Sequence, residues 1–138
     1  MSCGQETWSL QTFFSDGIAP QVPNDRSSPL PLSAHVLHNL LHIELNAVDL
    51  AWDTVARFSC LRLPDQFYED FARVADDESR HLRWCLQRMG ELGHTYGDMP
   101  AHNLLWEGAQ MSSDDVIARF GQMLSFLSAF AHCRAPLQ

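Results

Sequence analysis

An all-α domain of antiparallel helices is the fold class this sequence predicts, on three observations. Apolar residues recur at helical spacing over two long stretches. Proline, glycine and capping residues punctuate those stretches where helices end. Few segments carry the alternation or the short apolar runs of strands.

Residues 1–31 read as an irregular leader, because "DGIAPQVPNDRSSPLPLS" is rich in Pro, Ser and Asp and holds no period. The helical domain is expected over 32–138. Ser33, after "PLPL", is the expected N-cap of a first helix running to about Phe58. Leu63-Pro64 then breaks the chain, since a residue before proline avoids the helical region. A second helix is expected from Asp65 to Gly90 or Gly93, where glycine suits a left-handed cap. A loop with a short helix near 101–110 follows. The run Ser112-Ser113-Asp114-Asp115 is expected to cap a last helix carrying "VIARFGQMLSFLSAFAHC".

Hydrophobic residues make up 46% of the 138 residues, enough for one cored domain. A formal charge of −8 argues against a broad nucleic-acid surface. No apolar run is long enough to cross a bilayer. No basic residue precedes Arg26, so neither a secretory signal nor a transit peptide is read, and a cytoplasmic protein is expected. Cys3, Cys60, Cys85 and Cys133 show no C-x-x-C pair, so reduced thiols are expected, with Cys60 and Cys85 as small core residues. P-loop, G-x-G-x-x-G and G-x-S-x-G motifs are missing from the sequence, which gives nucleotide and hydrolase chemistry no support.

Stepping about 100° per residue around each helix separates the faces. In the first, Leu37, Leu40, Leu41, Val48, Ala51, Trp52, Val55 and Phe58 form one stripe, and Glu44 falls in its middle. In the second, Phe67, Phe71, Val74, Leu82, Cys85, Met89 and Leu92 form the stripe, and Glu78 and His81 fall within it. Buried carboxylates need compensation. A metal ion, a salt bridge to Arg80 or Arg83, or a wet cleft would each supply it. Glu and His at i, i+3 share a helical face and can hold one cation. A Glu on one helix with Glu-x-x-His on the next is half of a carboxylate-bridged dinuclear site. Such ligands suit iron, with manganese as the alternative.

"HIELNAVDLAWD" (42–53), "LPDQFYEDFARVADDESRHLRW" (63–84) and "LGHTYGDMPAHNLLWEGA" (92–109) resemble the DUF455 family. It is a ferritin-like family related in fold to diiron tRNA hydroxylases, and the resemblance covers residues 33 to 119. It implies a ferritin-like bundle with a dinuclear metal site, in which Glu44 is the first-helix ligand, Glu78 the bridging carboxylate and His81 the imidazole ligand. Tyr96 and His102 match family positions to which no role is attached. Family members continue past "DDVIARF" into a third helix with an acidic block and a fourth with a second Glu-x-x-His. Here no Glu follows Glu107, so an incomplete, C-terminally truncated bundle is expected, dinuclear only if a second half-site is supplied.

The resemblance implies an O₂-dependent diiron oxidoreductase or hydroxylase, with a tRNA substrate resting on fold analogy alone. A non-catalytic helical fragment or interaction module, and a metal store, are the alternatives. A homodimer completing the bundle is the expected partner, its two copies of Glu44, Glu78 and His81 making one full site. Three further features read as structural. His35, His38 and His42 share a face opposite Glu44 and are expected to be solvated. Trp8, Trp52, Trp84 and Trp106 are expected to pack, and Asp76, Asp77, Asp114 and Asp115 to be surface or capping charges. "FGQMLSFLSAFAHC" (120–133) is apolar almost all round and would be a sticky surface.

Overall fold

The computed structural model describes residues 23–123, and among them all regular structure is helical. Helix α1 spans Leu32–Phe58, α2 spans Asp65–Glu91 and α3 spans Leu104–Met111. A further helical stretch, α4, covers residues 116–123. Leader residues 1–22 and the end of the expected last helix, with Cys3, Trp8 and Cys133, lie outside the described residues.

The expected boundaries hold closely, for local reasons. At the end of α2, Gly93 takes φ +77, and the His94 and Gly93 N–H groups donate to the Met89 and Gly90 carbonyls. That is the left-handed cap expected of glycine. Asp115 caps α4, its Oδ1 accepting from the Ile117 and Ala118 N–H groups at 2.8 and 3.2 Å. The start of α1 differs from expectation. The extended Pro31 precedes the helix, and its carbonyl takes the first helical bond from the His35 N–H. Ser33 therefore lies inside the first turn, and no side chain caps this end.

Helices α1 and α2 are antiparallel. Leu41 meets Cys85 and Met89 near one end, and Ala51 meets Phe71 and Ala75 near the other. A 3₁₀ turn over Ser59–Leu61 reverses the chain. Tyr68 fixes this corner, donating to the Phe58 carbonyl at 3.1 Å and accepting from the Leu63 N–H. The corner also explains a correction: α1 ends at Phe58, so Cys60 falls on the turn and is exposed, while Cys85 is buried.

The apolar stripes are the α1–α2 interface, with Leu41, Ala51 and Met89 at 0–1% exposure. Trp52 and Trp84 depart from expectation at 52% and 62% exposed, because each lies at a stripe's margin, beyond the reach of the facing helix. Trp106 packs as expected, with Leu50, Leu105 and Ala109, and seats α3 on the flank of α1.

Candidate metal centre

Glu44 projects from the middle of α1, and Glu78 and His81 from one face of α2. The antiparallel pairing sets the three at the same level. One donor atom from each lies within 4.8 Å of the other two, the only such cluster of three or more among the described residues. His81 Nδ1 is 2.9 Å from Glu78 Oε2 and 3.5 Å from Glu44 Oε2. The imidazole thus turns one nitrogen toward both carboxylates. The carboxylate side chains are 12% and 14% exposed and the imidazole 35%, so the group opens to solvent along α2.

The salt-bridge alternative finds no support in the arginines proposed for it. Arg80 is turned to Asp76 and Asp77 on the outer face, and Arg83 is exposed. Asp76 and Asp77 are accordingly the surface charges expected. The donor set fits a divalent transition metal. Three ligands about 2.1 Å from one ion stand about 3.0–3.6 Å from one another, against spacings within 4.8 Å here, so side-chain movement of about an ångström closes the set. Cys85 stands close by, but burial and then the negative charge of Glu44 push its thiol pKa up. It is a packing residue beside the centre rather than a thiolate donor.

The opposite face of α1 overturns the expectation of a solvated histidine face. His35 and His42 are 7% exposed and His38 is fully buried. The segment between α2 and α3 folds back over them. His42 Nδ1 lies 2.6 Å from the Tyr96 hydroxyl and its Nε2 lies 2.6 Å from the His102 carbonyl oxygen. A carbonyl only accepts, so Nε2 carries the proton and Nδ1 accepts from Tyr96. Gly97 adopts φ +104 and donates its N–H to His38 Nε2 at 3.1 Å. Tyr96 also stacks on the His38 ring, centroids 5.0 Å apart. Tyr96 and His102 are therefore not beside Glu44, Glu78 and His81. They latch the connecting segment to the far side of α1.

One signal of this second face was present in the sequence. Its residues are His35, His38, Asn39, His42, Asn46, Asp49 and Asp53, without the Lys, Glu and Arg of a solvated helix. The outer face of α2, with Asp76, Arg80, Arg83 and Arg88, shows that contrast.

The latch predicts a pH response. Burial first, then the neighbouring His42 and last His35, lower the His38 pKa below 6.5, against an upward pull from Asp98. Burial lowers His42 likewise, with the His102 ring adding to it and the bond to the His102 carbonyl opposing it. An unfolded histidine gains a proton below about pH 6.5 that the folded one resists. Stability is thus fully present above that pH and falls as pH drops beneath it. Thermal unfolding between pH 8 and 5 is expected to show this acid limb. His38→Gln, which keeps an acceptor for Gly97, should flatten it, and an unchanged limb would count against the latch.

The fold and these clusters define a class: an all-helical bundle protein with a carboxylate–histidine cluster between its two long helices. The chain belongs to the DUF455 family, whose model, described as "Protein of unknown function (DUF455)", matches residues 18–129. It is similar to an uncharacterized protein of Haemophilus influenzae, 36% identical over 101 residues. The match covers 70% of this chain and 35% of that relative, so the chain spans about a third of the relative's length. No solved structure matches the chain.

Proposed function

We propose that the chain is a metal-binding member of the diiron-carboxylate class on a ferritin-like bundle, with Glu44, Glu78 and His81 as ligands. The observation that supports this most is the convergence of the three donors within 4.8 Å at one level of the α1–α2 pair. Iron is the metal proposed, with manganese as the alternative, because two carboxylates and one imidazole are hard and borderline donors without a thiolate. When bound, such a metal supplies oxygen-dependent redox chemistry, so an active form would be an O₂-dependent oxidoreductase.

The chain's own residues would do three things there. Glu44 and Glu78 bring negative charge to one spot, which favours a divalent cation. His81, held by the i, i+3 spacing, aims Nδ1 at that spot. Leu41, Cys85 and Met89 dry the side of the centre toward the core. A tRNA substrate would meet a chain of net charge −8, which disfavours it. No helix among the described residues is long and apolar enough to cross a membrane. The cytoplasmic location belongs to this proposal, supported by the free thiols of Cys60 and Cys85.

A specific observation favours a second reading. Among the described residues the cluster holds three donors, too few for two metals. On that ground it would be a non-catalytic helical module or a metal buffer. Anaerobic Fe(II) titration followed by metal analysis tests the first proposal, and oxygen uptake with a reductant separates catalysis from storage. Glu78→Ala is expected to weaken iron binding by at least about 100-fold, beyond the 10–100-fold typical of outer-sphere partners. Iron binding that survives the substitution would move the site elsewhere.

A further inference from the structure

Tyr68 and Tyr96 are the two tyrosines of the chain, and their hydroxyls donate to different kinds of acceptor. Tyr68 donates to the Phe58 carbonyl at 3.1 Å. A backbone carbonyl accepts a hydrogen bond but does not take the proton. Tyr96 donates to His42 Nδ1 at 2.6 Å. That nitrogen is a base, and behind it Nε2 already donates to the His102 carbonyl at 2.6 Å. The His38 ring stacks on Tyr96, 27° from parallel, and is itself held by the Gly97 N–H. Ring and hydroxyl of Tyr96 are thus both fixed, with the residue 36% exposed. A latch alone needs one hydrogen bond. It does not need a basic acceptor with a carbonyl behind it.

We propose that Tyr96 is a redox-active tyrosine, a one-electron donor whose phenolic proton passes to His42. A phenol that loses an electron becomes strongly acidic, so a base already within hydrogen-bond reach eases the loss. The electron leaves for the oxidant while the O–H bond breaks and an N–H bond forms at His42 Nδ1. The products are a neutral phenoxyl radical and an imidazolium, and no proton leaves the pair. Reduction returns the electron to the ring and the proton to the oxygen. Burial opposes the imidazolium. The bond from Nε2 to the His102 carbonyl, already in place, becomes charge-assisted and offsets part of that cost. The oxidant is an oxidised transition-metal ion, and that clause rests on the metal-binding reading. Glu44 follows His42 by two residues on α1 and so lies on its opposite face, which sets α1 between donor and acceptor.

One-electron photo-oxidation of the metal-free full chain by a ruthenium polypyridyl complex, with freeze-trapped EPR, tests the pair. The signal is expected to be a neutral tyrosyl radical, although Trp52 and Trp84 are more exposed than Tyr96. Tyr96→Phe should abolish it, and Tyr68→Phe should leave it whole. His42→Gln, which keeps an acceptor and removes the base, should slow tyrosine oxidation at least about 100-fold, the lower end of what a positioned base contributes. Oxidation of the parent should also be slower in D₂O than in H₂O, because the proton moves with the electron. A merely structural bond would leave that rate unchanged. Circular dichroism of each variant separates these effects from unfolding, and the Tyr68→Phe and D₂O measurements stand without the His42 variant. A tyrosyl signal that survives Tyr96→Phe, a radical confined to tryptophan, or equal rates in the two solvents would overturn the proposal. None of these measurements uses iron. A chain that binds no iron would overturn the metal-binding reading, and with it the oxidant named here, while the Tyr96–His42 pair would stand or fall on the radical.

Discussion

Asp53→Ala is expected to destabilise the domain by about 3–5 kcal/mol, the range for removing one partner of a buried ion pair. The reason is Arg119, which comes from α4 and is 1% exposed. Its guanidinium donates to Asp53 Oδ2 at 2.7 Å, to Ser112 Oγ at 3.0 Å and to the Ala109 carbonyl at 2.7 Å. Asp53 also receives two bonds from Arg57, at 2.8 and 3.1 Å. One carboxylate thus neutralises a cation that ties α4 and the end of α3 to α1. Losing Asp53 strands that charge on a buried side chain, whereas losing both partners does not. Asp53→Leu/Arg119→Met should therefore recover a large part of the loss, and chemical denaturation of the two single variants and the double variant measures the coupling. Acid gives a second readout. Burial alone would raise the Asp53 pKa, but hydrogen bonds from Arg57 and Arg119, with their charges, hold it below 3.8. The native carboxylate resists a proton that the unfolded one accepts. The pair's contribution is present above about pH 4 and is lost as pH falls below that. If Asp53→Ala unfolds at the same denaturant concentration as the parent, Arg119 is not held as described.

The helices and the convergence of Glu44, Glu78 and His81 were legible in the sequence because both are written in local periodicity. Glu44, Glu78 and His81 interrupt apolar stripes whose phase places them between the two long helices, and antiparallel pairing then brings them to one level. The end of α2 at Gly93 and the start of α4 at Asp115 were legible for the same reason, since cap chemistry spans a few residues. What covers the second polar face of α1 was not. His42 finds Tyr96 and the His102 carbonyl 54 and 60 residues away, and periodicity cannot report a connecting segment that folds back so far along the chain. Arg119 was missed likewise. A lone arginine in "VIARF" carries no mark of the carboxylate it meets 66 residues upstream. Helical phase says which residues share a face, but what covers that face is a tertiary fact. Trp52 and Trp84 show the converse error, in which an apolar side chain within or beside a stripe is given a partner that the facing helix cannot provide.

Stability and the proposed function should separate in a second large effect, at Leu41 and Glu44. Leu41 is fully buried between α1 and α2, with Cys85 and Met89 around it. Leu41→Ala removes its apolar contacts and leaves a cavity in a region where both helices are fixed by their own hydrogen bonds, so a loss of about 2–5 kcal/mol is expected. Glu44 is one turn further along the same helix, with 12% side-chain exposure, and shares the His81 imidazole with Glu78. Two carboxylates at one spot repel each other when no cation lies between them. Glu44→Gln keeps the shape and removes one of those charges. The metal-free variant should keep the parent's fold, while iron binding weakens at least about 100-fold, as for Glu78→Ala. The two substitutions therefore move opposite readouts: Leu41→Ala lowers the melting temperature of the metal-free chain, and Glu44→Gln erases the stabilisation that added Fe(II) gives the parent. Melting curves with and without Fe(II) for all three proteins decide the matter. A metal-free Glu44→Gln chain that melts far below the parent would make Glu44 a structural residue and remove the ground for a metal between these helices.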